Sequence, residues 1–305
     1  MKKFYSNGKL LITGEYAVLD GAKALAIPTK YGQFLTVNEA DHKKIKWLSL
    51  DDKDEVWFEA IYELEPITEI SSSNSEISKT LLEILSEAQK LNPNFFKDGT
   101  GYNIETKLTF PRDWGLGTSS TLINNIAQWA NVNAYELLNH TFGGSGYDIA
   151  CAQHSTAILY QLKNNEPIVQ EVIFDPVFID HLFFIYLNKK QNSREAISEY
   201  RNLKFDSRNL VTTIGGITTK MISCTNLETF QTLIDLHETT ISKTLKIPTI
   251  KRLLFAEYPS AIKSLGAWGG DFILVTGDET AMAYFKDRGY STIIPFSEMI
   301  LQKKS

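Results

Sequence analysis

The chain has 305 residues, and its 31 basic and 36 acidic side chains give a formal net charge of −5. Apolar residues make up 43% of it, a fraction typical of globular proteins. A net negative chain lacks the basic surface of a nucleic-acid-binding protein. The densest apolar run, residues 182–187, is far shorter than the ~20 residues of a membrane span. We therefore expect a globular protein of two domains, or one large one, without nucleic-acid or membrane partners.

The cysteine content indicates the cell compartment, and the distribution of charge indicates a surface segment. Cys151 and Cys224 are too few for a disulfide framework or a Cys-rich zinc site, so we expect a cytoplasmic protein. No apolar signal core follows the lysines at the amino terminus. Residues 41–70 hold nine acidic and four basic side chains, whereas the other 275 residues hold 27 of each sign. We interpret this acidic segment as a solvated, strand-rich surface region.

The first half of the chain contains strand patterns and a few helix patterns. Apolar residues recur at helical spacing from Ile77 to Ala88, and again over 122–130, where Ser119 and Ser120 precede the helix as capping residues. A third short helix is predicted at 135–138. Short apolar or alternating runs predict strands at residues 10–13, 24–27, 34–37, 46–50, 56–60, 102–110, 158–160 and 169–172.

A second series of elements begins near Leu182. It opens with a strand over 182–187 and ends with two strands, 272–275 and 292–294, that flank a helix over 279–288. This restart predicts a second α+β domain. Four helices are predicted between the first of these strands and the last two, over residues 193–200, 210–223, 227–240 and 250–258.

The strongest motif is Gly115-Leu116-Gly117-Thr118-Ser119-Ser120, between a predicted strand and a predicted helix. Glycines let the backbone pass close to a ligand, and the N–H groups of a helix start favour an anion such as phosphate. The two serine hydroxyls could bind a phosphate oxygen or a magnesium ion. A glycine-rich turn with a serine cap explains the same residues equally well. The motif is neither a Walker loop nor a dinucleotide-binding fingerprint.

Three further segments carry candidate chemistry. Asp148 follows the glycine-rich residues 143–146 and could accept or orient the proton of an attacking hydroxyl, although such an Asp is more often a turn or cap residue. Lys9, at the edge of a strand, could neutralise phosphate, although a lone Lys is usually a surface residue. The glycine-rich run 266–271 leads into a strand, and a tight turn accounts well for its last residue, Asp271.

Taken together, the segments resemble a known family. Residues 8–19 (GKLLITGEYAVL), 115–120 (GLGTSS) and 266–271 (GAWGGD) are similar, in this order, to the three motifs of the GHMP small-molecule kinases. Two further sequences, GEYAV at 14–18 and GSGYDIA at 144–150, favour the mevalonate and phosphomevalonate kinase branch and look most like phosphomevalonate kinases. Mevalonate kinases are similar but usually have His after the Glu of the first motif. The resemblance implies an α+β fold of two domains, 1–173 with the phosphate loop and a ferredoxin-like 174–305, with the active site in the cleft between them.

The resemblance also implies roles for individual residues. Asp148 matches the base or orienting group for the acceptor, and Lys9 matches the lysine near the acceptor hydroxyl and the γ-phosphate. The 115–120 loop would bind ATP, through Gly115, Leu116, Gly117, Thr118, Ser119 and Ser120. Magnesium would be bound by Ser119, Ser120 and Glu136, where Glu136 fits only with a loop one residue longer and is equally well a surface helix residue. The implied substrate-binding residues are Glu15, Tyr16, Ser145, Gly146, Ser193, Arg194, Gly266, Trp268, Gly269 and Gly270.

The expected activity is ATP-dependent phosphoryl transfer to a small metabolite, with mevalonate or phosphomevalonate as the leading acceptors and a monomer or homodimer as the assembly. Trp268 departs from the family, which has Gly there, and its indole would either narrow the substrate pocket or point outward. Thr118 and Thr121 are milder departures, and the chain is short for a phosphomevalonate kinase. The alternatives are a sugar or amino-acid kinase, a decarboxylating relative with a different phosphate loop, and a degenerate GHMP-fold binding protein.

Overall fold

The computed structural model describes residues 1–97, 99–191 and 193–301. These residues divide into two compact units. Unit 1 comprises residues 1–8, 31–112 and 116–153, and unit 2 comprises residues 9–30, 113–115 and the described residues from 154 onward. The chain enters each unit more than once, so neither unit is one continuous segment.

Unit 1 is built on an antiparallel-rich sheet. Its strands lie in the order β5-β4-β3-β6-β2, and only the β3–β6 pair is parallel. The first residues of β1 and the second part of β2 belong to this unit. The strand bounds are β1 (Lys2–Leu11), β2 (Ala24–Ala40), β3 (Lys44–Leu50), β4 (Val56–Leu64), β5 (Ile67–Ser72) and β6 (Gly101–Leu108).

Four helices complete the core of unit 1, and alternation along the strands decides which face they cover. Ile45 and Trp47 are buried while Lys46 between them is exposed, the two-residue period of a half-buried strand. Trp129 packs edge-on against the rings of Phe95 and Tyr102 within the core. The helices are α1 (Ser75–Leu91), α2 (Thr118–Ala130), α3 (Ala134–Thr141) and α4 (Tyr147–Gln153).

Unit 2 contains two groups of strands. The first residues of β2 pair with β7, which pairs with β8, and a separate antiparallel sheet has the order β10-β11-β9-β12. Every residue of β9 and β11 is buried, as their unbroken apolar sequences predict. The strands are β7 (Ile158–Lys163), β8 (Glu166–Glu171), β9 (Leu182–Tyr186), β10 (Ile262–Ser264), β11 (Phe272–Thr276) and β12 (Ile293–Pro295).

The helices of unit 2 differ widely in length. The two longest are α6 (Ser207–Ile222) and α7 (Leu227–Leu245), which pack against each other. Shorter ones are α5 (Ser193–Arg201), α8 (Ile250–Leu254), α9 (Ala283–Lys286) and α10 (Phe296–Met299). No helix in the described part of the chain combines the length and the apolar composition that crossing a membrane requires.

Most predicted elements are present, and the differences have local causes. The two strands predicted at 24–27 and 34–37 form one strand of 17 residues, β2, which pairs with β7 at one end and β6 at the other. Pro28, which has no N–H for a ladder, lies between the two pairings. The helix predicted over 250–258 ends at Leu254, and the one predicted over 279–288 is reduced to α9. The sequence did not predict β5, β10 or α4.

Candidate active site

The glycine loop leads into a helix without a side-chain cap. The N-cap residue of α2 is Gly117, at φ 96°, and its helix start makes no side-chain cap hydrogen bond. Four other helices, α1, α3, α6 and α7, each have an Asn or Asp side chain that accepts from their first N–H groups. Uncapped N–H groups and the helix dipole together favour an anion. The start of α2 therefore has the local geometry of a phosphate-binding loop.

The two serines of this loop differ in accessibility. Ser119 is exposed. Ser120 is only 3% exposed, and its hydroxyl donates to the carbonyl of Gly117 at 2.9 Å. The exposed hydroxyl of Ser119 is an oxygen ligand of the kind that Mg²⁺ prefers. The hydroxyl of Ser120 is instead engaged in a hydrogen bond within the turn. Leu116, also predicted as an ATP-binding residue, is fully buried, so only its backbone can face a ligand.

Neutral hydrogen bonds hold α2 in unit 1. Asn125 donates to the carbonyl of Gln33 at 2.9 Å and accepts from the Ser6 hydroxyl at 2.8 Å. Asn124 donates to Ser6 at 2.8 Å and accepts from Gln153 on α4 at 2.9 Å. We call these five residues, Ser6, Gln33, Asn124, Asn125 and Gln153, the amide network. It fixes the helix that follows the glycine loop without using a single charge.

Asp148 lies in the first turn of α4, a helix that packs against α2. Gly146 before it has φ 83°, and Ser145 is nearly buried. One oxygen of Asp148 accepts the N–H of Ile149 at 3.2 Å. The pKa of Tyr135 is raised to about 12, mainly by burial and further by the charges of Cys151 and Asp148. A partly exposed carboxylate therefore stands at the start of a helix in the same unit as the start of α2.

Glu136 is placed differently from the other predicted magnesium ligands. It is an exposed residue in the first turn of α3, which begins directly after α2 ends. The neighbouring Tyr135 lines a cavity with Gln128 and Asn131, at the carboxyl end of α2. At a rise of about 1.5 Å per residue, that end lies about 15 Å along α2 from Ser119. The metal-binding role of Glu136 stays a prediction.

In unit 2, Lys9 and Asp271 meet at Gly115. The ammonium group of Lys9 donates to the carbonyl of Gly115 at 2.9 Å. A Cβ atom built on Gly115, which has φ 67°, would lie 2.4 Å from Cγ of Asp271. The carboxylate of Asp271 thus lies directly on the α-carbon of the loop residue that accepts from Lys9. The sequence identified Lys9 and Gly115 but assigned Asp271 only to a turn.

The Trp268 indole is buried, with the residue only 6% exposed, so it does not point into solvent. Its main-chain N–H donates to the hydroxyl of Tyr16 at 3.2 Å, and its carbonyl accepts from the Gln191 amide at 2.7 Å. Tyr16 stacks on Tyr200 with ring centroids 5.3 Å apart. Within the described residues, the indole N–H has no hydrogen-bond partner. Tyr16, Gln191, Tyr200 and Trp268 form a wall in unit 2, which we call the aromatic wall.

The glycines of the third motif allow this packing. Gly266 and Gly269 have φ values of 62° and 93°. A Cβ on Gly270 would lie 2.8 Å from the carbonyl oxygen of Lys189 and from Cγ of Gln191. Two other predicted substrate-binding residues, Ser193 and Arg194, begin α5, but their side chains lie outside the described part of the chain.

Glu15, predicted as a substrate-binding residue, is fully buried. Lys263 donates to one of its oxygens, and Nε2 of His237 lies 3.2 Å from the other. Lys263 also lies 3.3 Å from Glu238, which accepts two hydrogen bonds from Ser264. We call Glu15, His237, Glu238 and Lys263 the ionic cluster. Because Glu15 has no exposed surface, it cannot contact a substrate directly. Its contacts with Lys263 and His237 instead hold the loop that carries Tyr16.

Burial sets the protonation of the ionic cluster. It raises the pKa of Glu15 to about 7 and raises that of Glu238, with Lys263 opposing both shifts. Burial, aided by the charge of Lys263, also lowers the pKa of His237 well below its usual value. The Nε2 atom of His237 accepts the N–H of Gly14 at 3.1 Å, as a neutral imidazole does. Because Nε2 carries no proton, it cannot donate a hydrogen bond to the carboxylate of Glu15. The absence of this donor is consistent with the raised pKa of Glu15.

No protein-family model matches the chain, and no curated protein does either. Solved structures match over nearly its whole length. Methanococcus jannaschii mevalonate kinase has 17% identity and a TM-score of 0.70, covering 99% of this chain and 98% of that one. The chain has the GHMP kinase fold.

Two further structures support the same conclusion. Streptococcus pneumoniae phosphomevalonate kinase, in complex with phosphomevalonate and AMPPNP, has 16% identity and a TM-score of 0.67, covering 99% of both chains. Lactococcus lactis galactokinase complexed with galactose has 13% identity and the same TM-score, covering 98% of this chain and 93% of that one. The α+β fold predicted from three short motifs is confirmed. The TM-scores of 0.67–0.70 establish the fold, whereas identities of 13–17% do not establish the substrate.

Proposed function

We propose that the chain is an ATP-dependent kinase that transfers the γ-phosphoryl group of ATP to a small metabolite. The observation that carries the proposal is the uncapped start of α2 behind the glycine loop, in a chain with the GHMP kinase fold. The match to a kinase solved with AMPPNP, an ATP analogue, supports ATP as the donor. The triphosphate would lie on the backbone of residues 115–120, where N–H groups rather than basic side chains supply the positive field.

Magnesium is the expected metal ion. Ser119, with its exposed hydroxyl, fits a ligand role, and Asp148 is a partly exposed carboxylate of the same unit. The described residues contain no cluster of three metal-ligating side chains, which suits Mg²⁺ because it takes one or two protein ligands and phosphate oxygens in such sites. When bound, the ion would neutralise charge on the β- and γ-phosphates.

The chemical step would need positioning and charge neutralisation more than covalent chemistry. An acceptor oxygen attacks the γ-phosphorus in line, the bond to the β–γ bridging oxygen breaks, and ADP leaves. Lys9 would offset the charge that develops on the transferred group. If the acceptor is a hydroxyl, Asp148 would take its proton; if it is already a phosphate, Asp148 would orient it.

For the acceptor, we propose mevalonate or phosphomevalonate. The residues at 14–18 and 144–150 support this branch, as do the matches to structures of a mevalonate kinase and a phosphomevalonate kinase. A sugar hydroxyl is the second candidate, since galactokinase has the same fold. The aromatic wall would line the acceptor side. The predicted domain boundary at residues 173–174, the cytoplasmic location and the monomeric or dimeric state remain predictions.

A panel assay tests the proposal. ADP release is measured with mevalonate, phosphomevalonate, galactose and homoserine, with and without Mg²⁺, and Asp148→Ala serves as the inactive control. We expect magnesium-dependent release with one acceptor and a loss of about 10²-fold or more in the variant. Nucleotide binding without turnover on any acceptor would favour a degenerate binding protein. Neither turnover nor nucleotide binding would overturn the kinase proposal.

A further inference from the structure

Unit 1 contains a cavity of about 600 Å³ that the proposed function does not use. It lies between the carboxyl end of α2, the start of α3, the end of α4 and the first residues of β1. Gln128 in its wall is about 14 Å along α2 from Ser119, at a rise of about 1.5 Å per residue. A cavity of this size can hold a small metabolite, and it is separate from the glycine loop at the start of α2.

The wall of the cavity is rich in amides and carries no charge. Five of its residues have side-chain amides, namely Asn124, Gln128, Asn131, Asn133 and Gln153. The described residues that line it include no acidic or basic side chain. An amide presents a donor and an acceptor side by side. The cavity therefore suits a ligand whose groups both donate and accept, but it offers nothing to balance the charge of an anion or a cation.

Asn124 is a buried and fixed member of this wall. The residue is only 1% exposed, its Oδ1 accepts from Gln153 at 2.9 Å, and its Nδ2 donates to the Ser6 hydroxyl at 2.8 Å. The NH₂ group of an asparagine has two N–H donors. Within the part of the chain that the structure describes, only the donor directed to Ser6 has a partner. Because a buried donor without a partner is unfavourable, this wall favours a ligand with an acceptor oxygen.

The rest of the wall adds further polar groups and two aromatic rings. Asn133 is fixed as the N-cap of α3, where its Oδ1 accepts the first N–H groups, and its Nδ2 remains as a donor. Gln128 and Asn131 are exposed at the carboxyl end of α2. That end of a helix carries partial negative charge, which disfavours an anionic ligand. The half-buried rings of Phe4 and Tyr135 supply apolar faces.

We propose that this cavity is a second ligand site, separate from the kinase site, and that it binds an uncharged sugar. Each sugar hydroxyl both donates and accepts, as the amides do, and the C–H face of the ring would pack on an aromatic side chain. The amides belong to α2, α4 and the turn before α3. They therefore suit hydroxyls that point in several directions better than the coplanar polar atoms of a nucleobase.

Fluorine NMR of protein labelled with 3-fluorotyrosine tests the site without relying on turnover. The resonance of Tyr135 is assigned from its loss in Tyr135→Phe. The probes are glucose, galactose and mannose, the 1-phosphates of the same sugars, and adenosine. We expect at least one free sugar to shift this resonance saturably, with a Kd of about 1 mM, and the sugar phosphates and adenosine to leave it in place.

Two variants locate the bound sugar in the cavity. Gln128→Ala suits a helix and Asn131→Gly suits the φ of 52° at that position, so each removes one amide without disturbing the fold. We expect each to raise the Kd about tenfold, the effect of one lost hydrogen bond. Gln170→Ala, which removes an exposed amide from β8 in unit 2, is the matched control and should leave the Kd unchanged.

The outcomes separate this site from the proposed kinase site. Neither Gln128 nor Asn131 belongs to the proposed kinase site, so a sugar bound as acceptor would keep its Kd in both variants. Such an unchanged Kd, or no saturable shift with any free sugar, would overturn the proposal. A shift of Tyr135 with adenosine or the sugar phosphates alone would overturn the assigned ligand class. Sugar binding that the two variants weaken would support the site even in a protein without kinase activity.

Discussion

The amide network of unit 1 and the ionic cluster of unit 2 each hold a motif segment in place, the first with neutral groups and the second with ionisable ones. Apart from the exposed Gln153, both are buried, and both hold a segment whose sequence resembles a GHMP kinase motif: α2 after the glycine loop, and the Gly14–Tyr16 turn. The first uses amides and hydroxyls only, and the second uses two carboxyls, an imidazole and an ammonium group. A neutral network keeps its hydrogen bonds at any moderate pH, whereas a buried set of ionisable groups responds to protons.

The difference matters for how each unit can be perturbed. Removing one neutral partner leaves unsatisfied dipoles, while removing one charge leaves its buried counter-charges unpaired, which is more costly. The start of α2 should therefore be robust to pH and to mild substitution. The turn that carries Tyr16, and through it the aromatic wall, should be the more sensitive of the two.

The largest effect is expected from Lys263→Met. This change leaves the carboxyls of Glu15 and Glu238 buried without their shared cation, and we expect unfolding to require about 3–5 kcal/mol less free energy. Urea denaturation at pH 7 measures the loss. Lys44→Met is the control, because the Lys44–Glu63 pair is exposed and its removal should cost at most about 1 kcal/mol. Equal losses in the two variants would contradict the contrast between buried and exposed charge.

The second effect is a change in pH dependence. The folded-state pKa of Glu15, about 7, exceeds the ordinary value of 4.5, so its contribution to stability is full below pH 4.5 and is lost as the pH rises through 7. His237, with a lowered pKa, acts in the opposite direction below pH 6.5. Glu15→Gln should therefore gain stability relative to the wild type by about 3 kcal/mol between pH 4.5 and 8.

Thermal or urea unfolding of both proteins over this pH range supplies the difference curve for Glu15→Gln. Glu63→Gln, at an exposed site, is the control variant measured over the same pH range. A Glu15→Gln curve that runs parallel to the wild type from pH 4.5 to 8 would show that Glu15 is not protonated in the folded protein at neutral pH.

A smaller and pH-independent loss is expected from Asn125→Ala in the amide network. The substitution leaves the Gln33 carbonyl and the Ser6 hydroxyl each short of a partner, so we expect a loss of about 2 kcal/mol. Measured at pH 5 and at pH 8, the loss should be the same, since none of the groups titrates. A loss that varies with pH would contradict the assignment of this network as neutral.

The smallest effect should come from Tyr16→Phe in the aromatic wall. The ring and its stacking on Tyr200 remain, and only the hydroxyl that accepts from the main-chain N–H of Trp268 is lost. We expect this loss to lower the free energy of unfolding by about 1 kcal/mol. If the wall lines the acceptor site, the KM of the acceptor should rise while the KM of ATP stays the same. Steady-state kinetics with each substrate varied in turn distinguishes this from a general loss.

Sequence patterns were informative where one physical signal dominates. Unbroken apolar runs predicted β9 and β11, and the glycine loop with its serines predicted the start of α2. The GHMP fold followed from three short motifs in order. Short elements such as α4 and β10 were missed because seven or three residues are too few for a periodic pattern to show.

In the candidate site, the contacts between distant residues could not be predicted from the sequence. Asp271 is 262 positions from Lys9, and nothing in a glycine-rich run distinguishes a carboxylate that packs on Gly115 from one that ends a turn. The partners of Glu15 come from α7 and β10, more than 200 residues away. Such contacts depend on tertiary packing, so a single sequence predicted the motif residues but not what they touch. The presence of Asp271 in a glycine-rich motif was the signal that could have indicated a role for this residue beyond a turn.

The distribution of unit 2 along the chain has a consequence for its biosynthesis. Thr29 bridges to Ile300, the carbonyl of Pro28 accepts from Leu301, and Lys30 donates to the carbonyl of Ser297. The last described residues thus complete contacts with some of the first. All of unit 1 has been synthesised by residue 153, but Thr29 of unit 2 pairs with a residue made 271 codons later. Unit 2 is therefore complete only after residues 297–301 have been synthesised, and residues 28–30 lack these partners until then.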